Sequence, residues 1–209
     1  MAANQLWAAD ITYIMLNNGD VCYLHLITDA YSRMIVGWEL ADTLRASITI
    51  KALEQAILQT GGVSLEGLIH HSDRGVQYCC DDYVRTLQTH KIKISMTEDY
   101  NPTDNAIAER ANGVIKTETV YSRKTFNSLE HARNVIGRFI HFYNYRRPHM
   151  SIGYKIPAVV HTETGAQKKM WKKKNYTKKM YNNENNGISL PCRTTGEDDG
   201  CNHHTVYSI

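Results

Sequence analysis

Little in this sequence points to an oxidised, secreted or membrane-embedded protein. Five cysteines in 209 residues, Cys22, Cys79, Cys80, Cys192 and Cys201, form an odd set with no repeated CxxC, which argues against a disulfide framework. Cys22 and Cys80 fall at apolar positions and read as small buried residues. Cys192, Cys201, His203 and His204 near the C-terminus could be drawn as a zinc site, but their spacing fits none of the common patterns. No apolar run approaches the ~20 residues that a membrane-spanning helix requires. The N-terminus, MAANQLWAAD, has no basic region followed by an apolar one, so the expectation is a cytosolic protein. No internal repeat is evident.

Nor is there a large excess of charge. The net charge is +3, and the apolar fraction of 42% and charged fraction of 22% are those of an ordinary globular protein. The distribution is uneven, however. Lys168 to Lys179 contains seven lysines and no acid, whereas residues 1–167 are close to balanced. Attraction for a polyanion is therefore expected in patches and not over the whole surface. The length suits one domain with a core, here residues 1–160, followed by a basic linker and weakly ordered tail, 161–209.

Within 1–160 the periodicities alternate. Leu6 to Leu16 is rich in β-formers, Asn17-Asn18-Gly19 is a turn, and Val21 to Thr28 and Met34 to Leu40 continue an antiparallel meander. Ala46 to Thr60 then places Ala46, Ile50, Leu53 and Ile57 on one helical face. This helix must cross the sheet to a fourth strand, Leu68 to His71, which is expected to run parallel to the first. A helix from Cys80 to His90 and a fifth strand from Ile92 to Ser95 follow. Two more helices are expected, Ala106 to Ser122 and one opened by a capping box of Asn127 and Glu130. The order implies an α/β fold with a five-stranded mixed sheet flanked by helices on both faces.

Three acids stand out against this frame. Asp73 ends the run Gly67-Leu68-Ile69-His70-His71 and is followed by Gly75, the position of a carboxylate at the carboxyl lip of a strand, where open α/β sheets place ligands. Glu109 lies one turn inside a helix expected to start at Asp104, after Asn101-Pro102. Asp10 interrupts the first strand, facing the same way as Ala8 and Thr12. Alone, Asp10 would be acceptable as an edge residue facing water. With the other two, a shared metal site accounts better for acids that are costly to bury unpaired, and hard oxygen donors suit Mg²⁺ or Mn²⁺.

At these residues the chain resembles the catalytic core of the DDE transposases and retroviral-type integrases, most closely the transposases of bacterial insertion sequences. The resemblance is carried by Trp7-Ala8-Ala9-Asp10-Ile11-Thr12-Tyr13, Asp29-Ala30-Tyr31-Ser32-Arg33, His71-Ser72-Asp73-Arg74-Gly75-Val76-Gln77-Tyr78 and Asp104-Asn105-Ala106-Ile107-Ala108-Glu109. Lys116 and Tyr143-Asn144-Tyr145-Arg146-Arg147-Pro148-His149 extend it, and 35 residues separate Asp73 from Glu109, the family's spacing. It covers about Leu6 to Val160. It implies a ribonuclease-H-like fold, with the first and fourth strands adjacent and Asp10 near Asp73. It further implies Asp10, Asp73 and Glu109 as catalytic ligands of two divalent ions, acting in cleavage of transposon ends and strand transfer into target DNA, within a homo-oligomer.

For other residues two readings stay open. Lys116 is either a DNA contact beside the metals, as the resemblance implies, or a solvated lysine. Arg74 and Asn105 are candidate DNA contacts, and His71, Ser72 and Gln77 are candidates to orient Asp73. Arg146 and Arg147 either touch DNA or cap a helix C-terminus. Lys168 to Tyr181, with Trp171, Tyr176 and Tyr181 among its lysines, suits phosphate attraction and stacking, or is a solvated tail. Relatives carry a helix-turn-helix region ahead of the core, whereas here Trp7 comes almost at once, so the chain is expected to be either a core fragment or the partner of a separate DNA-binding region or subunit. The loop Glu98 to Thr103 lacks the Gly-rich wording of many relatives. A different ribonuclease-H-like nuclease and an inactive DNA-binding relic are the alternative functions.

Overall fold

The computed structural model of the chain describes residues 1–97, 106–120, 126–168 and 170, all within a compact unit spanning Met1–Lys172. Residues 169 and 171–181 of the basic segment and the tail cysteines and histidines lie outside the described residues. So do the expected helix start at Asp104, Asn105, the loop Glu98 to Thr103 and Ser122.

Among the described residues, β1 (Leu6–Met15), β2 (Val21–Asp29) and β3 (Ile35–Ala41) form the antiparallel meander. Its first turn works as the sequence implies. Gly19 takes φ +88, Asn18 and Asp20 hydrogen-bond each other, and Met15 pairs with Val21. The second turn is built on Asp29, which is fully buried. Its Oδ1 accepts from the backbone N and Oγ of Ser32, both at 2.7 Å, and its Oδ2 accepts from Asn4 N at 2.8 Å, leaving Arg33 at φ +67. The Asp29-to-Arg33 stretch thus has a structural task, satisfying a buried carboxylate while reversing the chain.

Helix α1 (Ala46–Gln59) crosses to β4 (Ile69–Ser72), which pairs parallel with β1 on one side and with β5 (Lys93–Met96) on the other. The strand order is β3-β2-β1-β4-β5, the mixed sheet expected. Two short helices, α2 (Val76–Cys79) and α3 (Asp81–Thr89), connect β4 to β5. Then come α4 (Ala106–Ile115), extended by a wider π-helical turn over Lys116–Val120, α5 (Leu129–Tyr145), and α6 (Pro157–His161). No helix among the described residues is long and apolar enough to cross a membrane.

Alternation along the strands yields two cores. Ile14, Leu24, Leu26 and Leu40 face Ala111, Ile115, Ile136 and Ile140 of α4 and α5, while Trp7, Ala9, Ile27 and Val36 face Ala52, Leu53, Tyr83 and Leu87 of α1 and α3. Two details of the sequence reading change. The buried face of α1 is Thr49, Ala52, Leu53 and Ala56, with Ile50 and Ile57 only partly buried. The cause is close approach: a Cβ on Gly37 of β3 would stand 2.1 Å from the Ala52 carbonyl oxygen, so only small residues fit at the crossing. The cap of α5 is Ser128, whose Oγ accepts from His131 N at 3.1 Å, and not Asn127, whose side-chain oxygen accepts from Asn17.

Gly37→Ala is therefore expected to destabilise the chain by about 2 kcal/mol or more, as overpacking against a backbone atom does. Gly113→Ala, at a helical site where an added Cβ meets nothing within 4 Å, should stabilise it. Its expected gain is about 0.5 to 1 kcal/mol from helix propensity, and urea unfolding midpoints would read both changes.

Candidate active site

The parallel pairing of β1 with β4 sets the site. Ala8 is opposite His71, so the residues two further along each strand direction, Asp10 and Asp73, come to the same level at the carboxyl end of β4. Asp73 is exposed, one residue past the end of β4, and its Oδ1 accepts from Gly75 N at 3.0 Å, closing a tight turn into α2.

Asp10 is half-buried on the sheet face covered by α4. Both carboxylate oxygens are engaged: Oδ1 accepts from Ile11 N at 2.9 Å and Oδ2 from Asn112 Nδ2 at 2.7 Å. Burial pushes its carboxyl up from the ordinary value, the hydrogen bonds from Asn112 and Ile11 pull it down, and the charges of Asp73 and Glu109 push it up again. The net direction is upward. Asp10 thus sits in the field of both other acids, although they come from separate elements.

Glu109 is exposed on the first turn of α4, three residues before Asn112 and seven before Lys116, so the three side chains share one stripe of the helix. Lys116 is neither a free solvated lysine nor a salt-bridge partner of Glu109. Its ammonium lies 4.1 Å from the centroid of the Tyr13 ring, burial holds its pKa below the ordinary value, and the Asp10 charge opposes that shift. Tyr13 in turn lines a cavity of about 250 Å³ together with Asp73, Gln77 and Tyr78.

The remaining candidates divide. Ser72 is buried and donates to the Asp73 carbonyl oxygen at 3.0 Å, which steadies the turn, and Gln77 shares the small cavity with Asp73. His71 bonds Ser95 Oγ through Nδ1 at 2.9 Å, and its buried Nε2 has no partner among the described residues. Its neighbour His70 is a core residue, bonded to Tyr83 OH at 2.8 Å and pushed down to about 4 by burial. Arg74 is exposed beside Asp73. Arg146 is the exposed C-cap of α5. Arg147 neither caps that helix with its side chain nor joins the acids: its guanidinium grips Glu118 with two nitrogens, at 2.6 to 3.2 Å. Asn105 lies outside the described residues.

Sequence reasoning missed Asn112 and Tyr13. The signal for Asn112 was its place one turn after Glu109, on the stripe that had already been singled out. Tyr13 closes the Trp7-to-Tyr13 segment that carries the resemblance, but nothing there points to Lys116, because that contact depends on how α4 lies across β1.

Among the described residues, no three His, Cys, Asp or Glu side chains are grouped closely enough to hold a metal ion. The donor set nevertheless suits a hard divalent cation. Asp10 feels two further carboxylates, and Asn112 Oδ1, next to it, is buried without a hydrogen-bond partner among the described residues.

Two family models, both described as an integrase core domain, match residues 1–102 and 90–157. A protein of insertion sequence element IS986/IS6110 from Mycobacterium tuberculosis (strain ATCC 25177 / H37Ra) is 36% identical over 170 residues, 80% of this chain and 61% of the relative. The transposase InsF for insertion sequence IS3A of Escherichia coli (strain K12) is 33% identical over 151 residues, 72% of this chain and 51% of the relative. The chain thus spans between half and two thirds of the length of these relatives. Among solved structures, the simian T-cell lymphotropic virus intasome in complex with PP2A regulatory subunit B56 gamma matches with a TM-score of 0.66 at 20% identity, covering 83% of this chain and 59% of that one. The HTLV-2 integrase catalytic core domain in complex with magnesium matches with a TM-score of 0.58 at 20% identity, covering 77% and 98%. Both likenesses establish the ribonuclease-H-like fold.

Because the Asp10 pKa is raised above 3.8 on folding, its contribution to stability is greatest below that value and declines as pH rises through the folded-state pKa. Asp10→Asn removes that decline. Its stability relative to the parent chain should be higher at pH 7 than at pH 3, as measured by denaturant unfolding. Asn112→Ala should raise the Asp10 pKa further, which a carboxyl NMR titration would show.

Proposed function

The chain belongs to the integrase core domain family, and on that premise we propose that the face formed by Asp10, Asp73 and Glu109 is the catalytic centre of an insertion-sequence transposase. The reaction is cleavage of a DNA strand at each transposon end, followed by attack of the released 3′-hydroxyl on a target phosphodiester. The observation that carries the reading is the Asp10 carboxylate, held by Asn112 of α4 at the level of Asp73 and under the charges of Asp73 and Glu109.

Asp10, Asp73 and Glu109 would hold divalent ions, Mg²⁺ or Mn²⁺ and two in the active complex, whose chemistry is to stabilise charge on the attacking and leaving oxygens of an in-line displacement. The chain's own contribution is positional. The Asn112 and Ile11 donors fix the plane of the Asp10 carboxylate, and the Gly75 N–H fixes that of Asp73. Asp73 lies one residue past the end of β4 and Glu109 in the first turn of α4, each at the Asp10 side of its element's end.

Lys116 and Arg74 supply positive charge beside the acids for the DNA backbone, with Asn105 and Arg146 as further contacts and His71, Ser72 and Gln77 orienting the Asp73 turn. The working complex is a homo-oligomer on DNA. Recognition of the transposon ends falls to a separate helix-turn-helix region or subunit, and the basic residues beyond 160 add non-specific attraction.

Mg²⁺ should raise the unfolding free energy of the parent chain, read from denaturant unfolding, by an amount that grows with its concentration, on the order of 2.7 kcal/mol at a hundred times the dissociation constant. Asp10→Asn, Asp73→Asn and Glu109→Gln should lose both that response and the joining of a pre-cut 3′-hydroxyl end to target DNA. Nicking without joining would point instead to a nuclease of the same fold, and DNA binding without either reaction to an inactive relic. Lys116→Gln should lower the slope of log affinity against log salt by about one, the mark of one lost phosphate contact.

A further inference from the structure

On the opposite side of α4 from Glu109, Asn112 and Lys116 is a second, larger cavity. It holds about 640 Å³, within the range of pockets that take small organic ligands, and lies between the end of β2, the β2–β3 turn, α4 and the end of α5. Its α4 wall is Ile107, Arg110, Ala111 and Val114, a stripe about half a turn away from the acid stripe.

Three guanidinium groups line this space, those of Arg33, Arg110 and Arg147. Among the described residues only Arg147 is neutralised, by Glu118. Arg110 is exposed, and neither it nor Arg33 makes a side-chain ion pair among the described residues. Arg33 Nη1 is buried with no hydrogen-bond acceptor among them, and Thr28 Oγ1, on a residue 1% exposed that lines the same cavity, has no partner there either. The Asp29 carboxylate does not hydrogen-bond the Arg33 guanidinium, since its oxygens already receive Ser32 and Asn4; its charge still favours the cation, and its backbone carbonyl accepts from Arg33 N at 2.9 Å. The positive field registers on His149, which burial, Arg147 and Arg33 push down to about 4, so that it is neutral and adds no charge of its own. A half-buried guanidinium with one buried N–H that has no acceptor among the described residues is costly, and a fold that keeps it beside an orphaned hydroxyl is prepared for an anion.

We propose that this cavity binds a phosphate of a DNA strand, with Arg33, Arg110 and Thr28 as donors and the neighbouring sugar or base against Ile107, Ala111 and Val114. Guanidinium forks match phosphate oxygens, and the volume and apolar wall exceed what a bare anion needs. Choosing a DNA strand over another phosphate carrier rests on the proposed function; the anion site itself does not. The strand would grip the catalytic helix on the side away from its acid, bracing the element that carries Glu109.

The test is titration of the full chain, in EDTA, with inorganic phosphate and with the 5′-phosphorylated dinucleotide pTpT, followed by calorimetry and by side-chain NMR of Arg33 and Arg110. Both probes should move both resonances, and pTpT should bind about tenfold more tightly than phosphate, a difference of about 1.4 kcal/mol. Arg110→Gln, an exposed substitution that leaves the core intact, should weaken pTpT by about tenfold, the scale of one charge-assisted hydrogen bond. Arg85→Gln, at a surface pair on α3, should change nothing. The same binding should persist in Asp73→Asn, so a failed strand-transfer assay would not bear on it. Unmoved Arg33 and Arg110 resonances, or an Arg110→Gln chain that binds like the parent, would overturn the site. Equal affinity for phosphate and pTpT would overturn its assignment to a DNA strand.

Discussion

A carboxylate placed mid-strand on a sheet face that a helix must cover is the constraint on which this structure turns. Asp10 cannot be left bare there without a large desolvation cost, and it cannot be removed from the face without shifting the strand by a residue and inverting both cores. The fold's solution is local and directional. One oxygen takes the next backbone N–H and the other takes Asn112, so the hydrogen bond that satisfies the acid also ties β1 to α4. What helps to position the helix therefore also positions Glu109 and Lys116, which share its stripe.

The satisfaction is incomplete, and that gives the site its character. Two donors do not offset burial and the repulsion of Asp73 and Glu109, so Asp10 remains a reluctant anion. Stability is withheld at a place where a cation could restore it, a pattern associated with functional sites more than with structural ones. Asp29 offers the contrast within the same chain. It is more deeply buried, but three donors meet it and no other acid is among its hydrogen-bond partners, so it serves a turn and needs nothing further.

Helix α4 acts as a partition with different chemistry on its two sides. One stripe carries acid, amide and ammonium beside the carboxyl end of the parallel strands, and the other lines a cavity rich in guanidinium. A helix only ten residues long, prolonged by a π turn, thus separates a carboxylate-bearing side from a guanidinium-bearing one.

The meander, the crossover and the parallel partner of β1 were legible in the sequence, because strand periodicity, the Asn17-Asn18-Gly19 turn and an intervening amphipathic helix leave few topologies open. The sequence singles out Asp10, which interrupts an apolar strand, Asp73, which ends one, and Glu109, which follows at the spacing of the family that the chain resembles; the structure buries only Asp10 in part and leaves Asp73 and Glu109 exposed. The sequence could not reveal the partners that depend on how elements cross. The buried face of α1 was rotated toward Ala52 and Ala56 by the closeness of Gly37, Tyr13 came under Lys116, Arg147 went to Glu118, and Arg33 was left facing a cavity. Local pattern determines which elements form and which way their apolar sides turn. Distances between side chains on different elements are set only when the two cores pack, and so tertiary structure alone decided which charges are paired and which are left waiting.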